Sequence, residues 1–328
     1  MIAGKKENEM IIKKRNKTEL EQFEALLSRL RPDHPKIREL ESDFARRKKG
    51  YIGEKQVDYF LDELAAEMTI LQDLNLSVDG KNMQIDNLLI SRQAAYIVEV
   101  KNYSGTILFD TELQQFTRDD GSREKGFRHP IQQAELQKQR LQAWLQEMNL
   151  PPIPIYCFIA VSDPSTIIKV EGEREHIARV VSHAAYIPGK IKSQADAMTG
   201  NAPIQHQKLG ATILRACKQA RHLPVLRYGI QTQDILPGVH CPACRYLGME
   251  RIYGTWLCPK CNRKSKVAHK RALLDYFLLV NPTINNADCM QFLGISSATI
   301  ANRLFKSMNL TYIKENRRWT LSKRSVVK

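Results

Sequence analysis

The sequence predicts an α/β domain followed by two small modules, and three observations carry that prediction. From residue 51 to about 165, helical and extended patterns alternate, as they do where helices cover a sheet. Between residues 241 and 261 stand two Cys-x-x-Cys pairs separated by 13 residues. After residue 267, two short amphipathic helical patterns and a closing pair of extended segments read as a compact basic module.

Bulk properties narrow the class. A chain of 328 residues suits two or three domains. Fifty Lys and Arg against 35 Asp and Glu give a formal charge of +15, a field that favours polyanions such as nucleic acid, or an anionic membrane surface. The opening "MIAGKKENEMIIKKRNK" has lysines but no apolar core region, so it does not read as a signal peptide. No run approaches the roughly 18 apolar residues of a membrane span. Seven cysteines, four of them in two tight pairs, suit a reducing cytoplasm with a metal site better than a disulfide framework.

The elements follow in order. Residues 1–45 form a basic helical extension, with Leu20, Phe23, Leu26, Leu27 and Leu30 at helical spacing and "RPDHPK" interrupting it. A second helical stretch ends in "RRKKG", and a helix spans about 51–65. An extended segment at 68–76, a hairpin at 83–100, a strand-like piece at 103–109, a long helix at 131–148 and the apolar strand "IPIYCFIAV" complete residues 46–165. Residues 166–235 add a strand or two, a loop around "DAMTGNAP" and a helix near 204–220. The cysteine module occupies 236–266 and the last module 267–328.

The hairpin carries the chemistry. In "YIVEVKNYSG", Tyr96, Val98 and Val100 face one way, while Ile97, Glu99 and Lys101 face the other. Asp86 lies on the preceding strand, where antiparallel pairing brings it toward Glu99. Two carboxylates at a sheet rim suit a hard cation, Mg²⁺ or Mn²⁺. Glu54 shares the helix face of Val57 and Leu61, where a carboxylate needs a cationic partner or a metal. Gly53 beside it permits close backbone approach.

The words "GYIGEKQV", "QIDNLLIS", "AYIVEVKNYSG" and "HPIQQAELQ", in this order, resemble the nuclease-related domain, NERD, of the PD-(D/E)XK nuclease superfamily. The resemblance covers about residues 46–165 and implies a restriction-endonuclease-like mixed sheet flanked by helices. It implies that Asp86 and Glu99 hold a divalent metal, that the Val100 carbonyl adds a ligand, and that Lys101 assists the attacking water. Glu54 would complete the acidic cluster, and Gln133 would position substrate or the lysine. His129 stands where the family often has asparagine.

Cys241, Cys244, Cys258 and Cys261 have the spacing of a closed, structural Zn²⁺ site, and the surrounding sequence resembles a zinc ribbon. Cys157, Cys217 and Cys289 sit in apolar contexts and read as core residues. In the last module, Ala287–Leu293 and "ISSATIANRLFKSM" read as two helices about Gly294, with Ser296 or Ser297 as N-cap. Ile300, Leu304 and Met308 would pack inward. "LTYIK" and "RRWTLS" read as a hairpin wing, and the whole resembles a winged helix-turn-helix. Residues 262–328 hold 13 Lys and Arg against three acids. Ser297, Thr299, Asn302, Arg303 and Lys306 would meet bases or phosphates, and Arg317 and Arg318 the backbone.

The expectation is a metal-dependent DNA nuclease with two targeting modules. A DNA-binding regulator that keeps the fold without turnover stays open beside it, as does RNA in place of DNA.

Overall fold

A computed structural model describes residues 12–198, 203–217 and 224–322. Residues 1–11 of the expected extension, 199–202 of the expected loop, the end of the helix expected to reach 220, and 323–328 lie outside the described residues. In chain order, β1 (Ile12–Lys13), α1 (Thr18–Arg29) and α2 (Ile37–Leu61) come first. They are followed by β2 (Thr69–Val78), β3 (Lys81–Ile90), β4 (Ala95–Lys101), β5 (Thr106–Asp110), β6 (Gln115–Asp119) and β7 (Glu124–Phe127). Next come α3 (Pro130–Glu147), β8 (Ile155–Val161), β9 (Ile167–Glu171), α4 (Arg174–Val180), β10 (Val181–His183), α5 (Ile187–Asp196) and α6 (His206–Ala216). The remainder holds α7 (Pro224–Arg227), β11 (Glu250–Ile252), β12 (Thr255–Leu257), β13 (Lys264–Ser265) and α8 (Ala268–Leu279). Then β14 (Thr283–Ile284), α9 (Asn286–Leu293), α10 (Ala298–Ser307), β15 (Thr311–Ile313) and β16 (Arg318–Thr320) close the chain.

The chain divides into two compact units, residues 1–16 with 47–220 and residues 17–46 with 221–328. The segment read as one N-terminal extension is therefore shared between them. Two helices expected on either side of "RRKKG" are one, α2. Gly50 does not break it, because an interior glycine costs a helix only about 1 kcal/mol, less than the burial of Leu40, Val57 and Leu61 along its length returns.

In the first unit a mixed six-stranded sheet has the order β1-β2-β3-β4-β8-β10. β2, β3 and β4 form an antiparallel meander, while β1 joins β2, β8 joins β4 and β10 joins β8 in parallel. Helices cover both faces. On one, Leu71, Leu88, Ile97 and Ile159 pack with Ala134, Leu141 and Trp144 of α3. On the other, Ile70, Leu89, Tyr96, Val98 and Val100 pack with Val57 and Leu61 of α2 and Ile187 and Ile191 of α5. The expected alternation along β4 is present, and the expected mixed sheet flanked by helices is what the chain forms. A second sheet, β7-β6-β5-β9, lies alongside in the sequence of elements. Its β6–β7 hairpin went unread because its residues are mostly polar and exposed. The Asp120-Gly121 pair, with Gly121 at φ 87°, was the available turn signal.

One irregularity shapes the site. The two-residue alternation slips in β2 and β3: Leu71 and Leu74 share a face, as do Ile85 and Leu88. The slip falls where Asp73 takes a left-handed φ of 51°, between the pairs Gln72↔Asn87 and Leu74↔Ile85. Such a local kink re-aims neighbouring side chains, and Asp86 sits at it.

In the second unit, one core joins Phe23 and Leu26 of α1, Leu40 of α2, Val239 and Trp256 of the cysteine module, and Leu273, Phe292 and Phe305 of the last three helices. Asn285 caps α9 reciprocally with Asp288, Gly294 ends it at φ 68°, and Ser297 caps α10. Strands β14, β16 and β15 form an antiparallel sheet. Arg29 is fully buried. Its Nε donates to Asp275 (2.8 Å) and its Nη1 to the carbonyls of Leu236 (2.9 Å) and Gly238 (3.2 Å). Cys157 and Cys289 are buried, each thiol pushed up to about 12 by desolvation; Cys217 is half-buried against the first unit's core.

A relay crosses this core. Trp256 Nε1 donates to His269 Nδ1 (3.3 Å), leaving Nε2 to donate to Ser307 Oγ (3.1 Å), so the ring is held neutral. Burial, with help from Arg251 and Lys270, lowers the His269 pKa from 6.5 to about 4. The unfolded chain therefore binds the proton first, and the stability present above pH 6.5 is lost as pH falls toward 4. The expected loss is about 3 kcal/mol. Urea unfolding across that range reads it, and His269→Gln should flatten the dependence.

Candidate functional site

The site begins where α2 meets the sheet. A Cβ on Gly53 would stand 2.5 Å from the Asn102 Cβ and 2.6 Å from the Ser162 Oγ, so only glycine lets the helix approach the ends of β4 and β8 this closely. That approach brings Glu54 and Asp58, one turn apart on α2, to the row of Asp86 and Asn87 on β3.

Between them lies a residue that sequence reasoning missed. Arg15, just past β1, is buried with its side chain 2% exposed. Its Nη1 reaches Glu54 Oε2 (2.9 Å), its Nη2 reaches Asp58 Oδ1 (3.1 Å) and the Asp86 carbonyl (2.9 Å), and its Nε reaches Asp58 Oδ2 (3.3 Å). Burial opposes the charge, but Glu54 and Asp58 outweigh it and raise the Arg15 pKa. Asp58 is fully buried and was also missed. The Asn87 amide nitrogen, turned to satisfy its neighbours, donates to Asp58 (3.1 Å) and to the Asp86 carbonyl (3.2 Å). The signal for Asp58 was its place four residues after Glu54 on one helix face; nothing marked Arg15 within "KKRNK".

Asp86 Oδ2 accepts from the Val100 N–H (3.0 Å). Asp86 retains some accessible surface, yet the packing around its carboxyl is dense. Desolvation, then the charges of Glu99 and Glu54, hold its pKa well above the ordinary value against the pull of that N–H. Desolvation also raises Glu54, with Arg15 acting against it. Glu99 is buried and engaged at both oxygens, by Lys101 Nζ (2.5 Å) and by Gln137 Nε2 (2.8 Å). Lys101 Nζ also reaches Gln133 Oε1 (3.0 Å). Burial works against the Lys101 charge, but Glu99 overrides it and raises the pKa, so the ammonium stays charged. Gln137, one turn after Gln133 on α3, was missed; its Oε1 is buried without a partner.

Glu54, Asp86, Glu99, Lys101 and Gln133 are thus brought to one region, with Arg15, Asp58 and Gln137 added. Glu54, Asp86 and Glu99 do not close into a compact triad: among the described residues, three or more metal-ligating groups lie within 4.8 Å of one another only at the four cysteines.

There, Cys241 and Cys261 sulfurs stand 3.6 Å apart, as do those of Cys244 and Cys258. Tetrahedral Zn²⁺ with bonds of about 2.3 Å needs sulfur separations close to these. The knuckles match: Arg245 N–H reaches the Cys241 carbonyl (3.0 Å) and Asn262 N–H the Cys258 carbonyl (2.9 Å). Arg245 and Asn262, each following a second cysteine, take φ of 59° and 56°.

On α10, Thr299, Arg303 and Lys306 are exposed and Asn302 is half-buried. Ser297 is spent on the cap, its Oγ accepting from Ile300 N–H (3.4 Å). Arg317 is exposed at the β15–β16 turn. Arg318 is engaged inside the unit, bonded to Asp288 and to Thr283 Oγ1 (2.8 Å) and carbonyl (3.1 Å), where the sequence expectation left it free for a phosphate.

Removing one partner of the buried Arg15–Asp58 pair should be costly. Arg15→Met is expected to lower stability by about 3–5 kcal/mol, and adding Asp58→Leu to recover most of it. Denaturant unfolding of both variants checks this.

Comparison with known proteins bears on the span that carries these residues. Over 173 residues the chain is 28% identical to an uncharacterized protein of Bacillus anthracis, covering 51% of this chain and 76% of that protein. No solved structure matches it. No helix among the described residues is long and apolar enough to cross a membrane. The family model for the nuclease-related domain, NERD, matches residues 49–162, the span that holds Glu54, Asp86, Glu99, Lys101 and Gln133. That match supports a nuclease-related domain at residues 49–162.

Proposed function

We propose that this protein is a metal-dependent phosphodiesterase acting on DNA. The observation that carries the reading is a charge imbalance. Glu54, Asp58, Asp86 and Glu99 outnumber the buried cations Arg15 and Lys101 by two to one, and burial first, then the charges of Glu99 and Glu54, raise the pKa of Asp86. Lys55 reaches Asp58 only from the surface, at 3.7 Å.

The donor set is hard oxygen and suits Mg²⁺ or Mn²⁺. Mg²⁺ keeps several waters and needs only one or two carboxylates, so the lack of a compact three-carboxylate cluster is no obstacle. Asp86 and Glu99 would hold the ion, with the Val100 carbonyl able to add a ligand. Once bound, such an ion supplies Lewis acidity toward a phosphate oxygen and an acidified water. The chain's own residues do the rest. Lys101, kept charged by Glu99 and steered by Gln133, offers its protons to a phosphoryl oxygen as charge builds there. Gln137 fixes the second oxygen of Glu99, and Arg15 holds Glu54 and the Asp86 backbone in place.

The four-cysteine module would hold Zn²⁺ as a structural ribbon. The last module would act as a winged helix, presenting Thr299, Asn302, Arg303 and Lys306 to DNA with Arg317 on the wing, in a cytoplasmic protein. A second reading, a DNA-binding regulator without turnover, draws on Glu99 having both oxygens already engaged.

With supercoiled, linear or single-stranded DNA and Mg²⁺ or Mn²⁺, cleavage is expected from the intact protein. Asp86→Ala and Lys101→Ala should each lower it by at least about 100-fold. Because the Asp86 proton must leave before a cation binds, cleavage should rise with pH. Salt-sensitive binding without cleavage under either metal selects the regulator. Metal analysis of the purified protein should find about one zinc per chain, lost in Cys258→Ser together with the cooperative unfolding of the second unit.

A further inference from the structure

We propose that the β11–β12 hairpin of the cysteine module is a stacking finger for single-stranded nucleic acid, with Tyr253 as the platform for one base. Tyr253 is fully exposed, more so than any other large hydrophobic side chain among the described residues. It occupies the tip of a two-residue turn: Ile252 pairs with Thr255, and Gly254 takes φ 70°. A tyrosine in that position buries nothing in the folded chain, so its ring is offered outward with both faces free.

The root of the finger is rigid. Trp256 is fully buried behind it, the Arg251 guanidinium lies over the Trp256 ring at 5.3 Å, and β12 runs directly into Cys258. An aromatic held on a fixed support loses little freedom when a base stacks on it. The surroundings are cationic. Arg245, Lys260, Arg263, Lys264 and Lys266 are all exposed, and none of them makes an ion pair among the described residues. Glu250 is the sole acid from Val239 to Lys270. The same small module thus carries phosphate-seeking charges at its knuckles and along β13, and an outward aromatic at its hairpin tip.

This combination is the chemistry of single strands. A ring stacks on a base only where the base has left its own stack, and unpaired cations follow the backbone without reading sequence. A duplex presents base edges and hides base faces, so it would use the cations but not the ring. A protein partner would need apolar area beside the tyrosine, where the finger offers Gly254 and charge. The inference rests on the nucleic-acid reading given above but not on turnover. Its test therefore needs no cleavage.

The experiment uses the full chain with no added Mg²⁺ or Mn²⁺. Fluorescence anisotropy compares a labelled 20-nucleotide single-stranded DNA, the RNA of the same sequence and the blunt DNA duplex, each over a salt series. Tyr253→Ala is expected to weaken single-strand binding roughly 5- to 100-fold, leaving duplex affinity, zinc content and the salt slope unchanged. Tyr253→Trp should restore it. Lys264→Gln with Lys266→Gln should lower the salt slope for every ligand. The DNA and RNA arms show which single strand is preferred. Single-strand binding unchanged in Tyr253→Ala, or an equal loss for duplex and single strand, overturns the proposal. Cleavage assayed separately with Mg²⁺ reports on the nuclease reading, so either can fail alone.

Discussion

Everything at the acidic end of the first unit depends on a buried guanidinium. A carboxylate inside a sheet-and-helix sandwich loses several kcal/mol of hydration, and Asp58 is as deeply placed as the leucines around it. Arg15 makes that placement tolerable by bonding both Asp58 oxygens, Glu54 and a backbone carbonyl of β3 at once. Its planar fork suits this multiple contact in a way an ammonium would not. The arginine is itself anchored, since its own N–H donates to the Gln72 side chain (2.9 Å). The helix and the strand that carry the acids are thus joined by charge as well as by packing, and the remaining carboxylates are left facing Lys101 with negative charge in excess.

The sequence made part of this legible. The β3–β4 hairpin could be read because its alternation is strong, and α3 because Pro130 starts it cleanly. The four cysteines declared themselves by spacing. Glu54, Asp86, Glu99, Lys101 and Gln133 could be singled out because each sits in a local word. Arg15 was not, because its partners lie 39 to 71 residues away and its neighbours are other cations. Asp58 and Gln137 each follow a recognised residue by one helical turn, so helix periodicity extended by a single step would have reached them. The β6–β7 hairpin is mostly exposed, and exposed strands carry little hydrophobic signal. Arg318 looked like a free cation for the same reason that Arg15 was overlooked: a sequence shows a charge but not its distant partner, here Asp288.

The second unit follows a different economy. Its cysteine module is too small to bury much on its own, and it shares a core with α1 and the last three helices. Polar groups set the register of that core. Arg29 ties α1 to α8 and to the chain entering the first knuckle. His269 links the module's central strand to α10 through a single tautomer. Both are buried polar contacts with defined partners, the kind that select one packing among many apolar alternatives.

The parallel strands at the margins of the two sheets bear on how the nuclease-related region could be isolated. The family match stops at residue 162 and starts at residue 49, yet β1 lies on one side of that span, and β9 and β10 on the other, hydrogen-bonded to β2, β5 and β8. Trimming to the matched span would strip three flanking strands and leave open rows of amide and carbonyl groups on apolar β2 and β8. Bare edges of that kind recruit other chains, so the shortest soluble fragment should reach back past Arg15 and forward through His183.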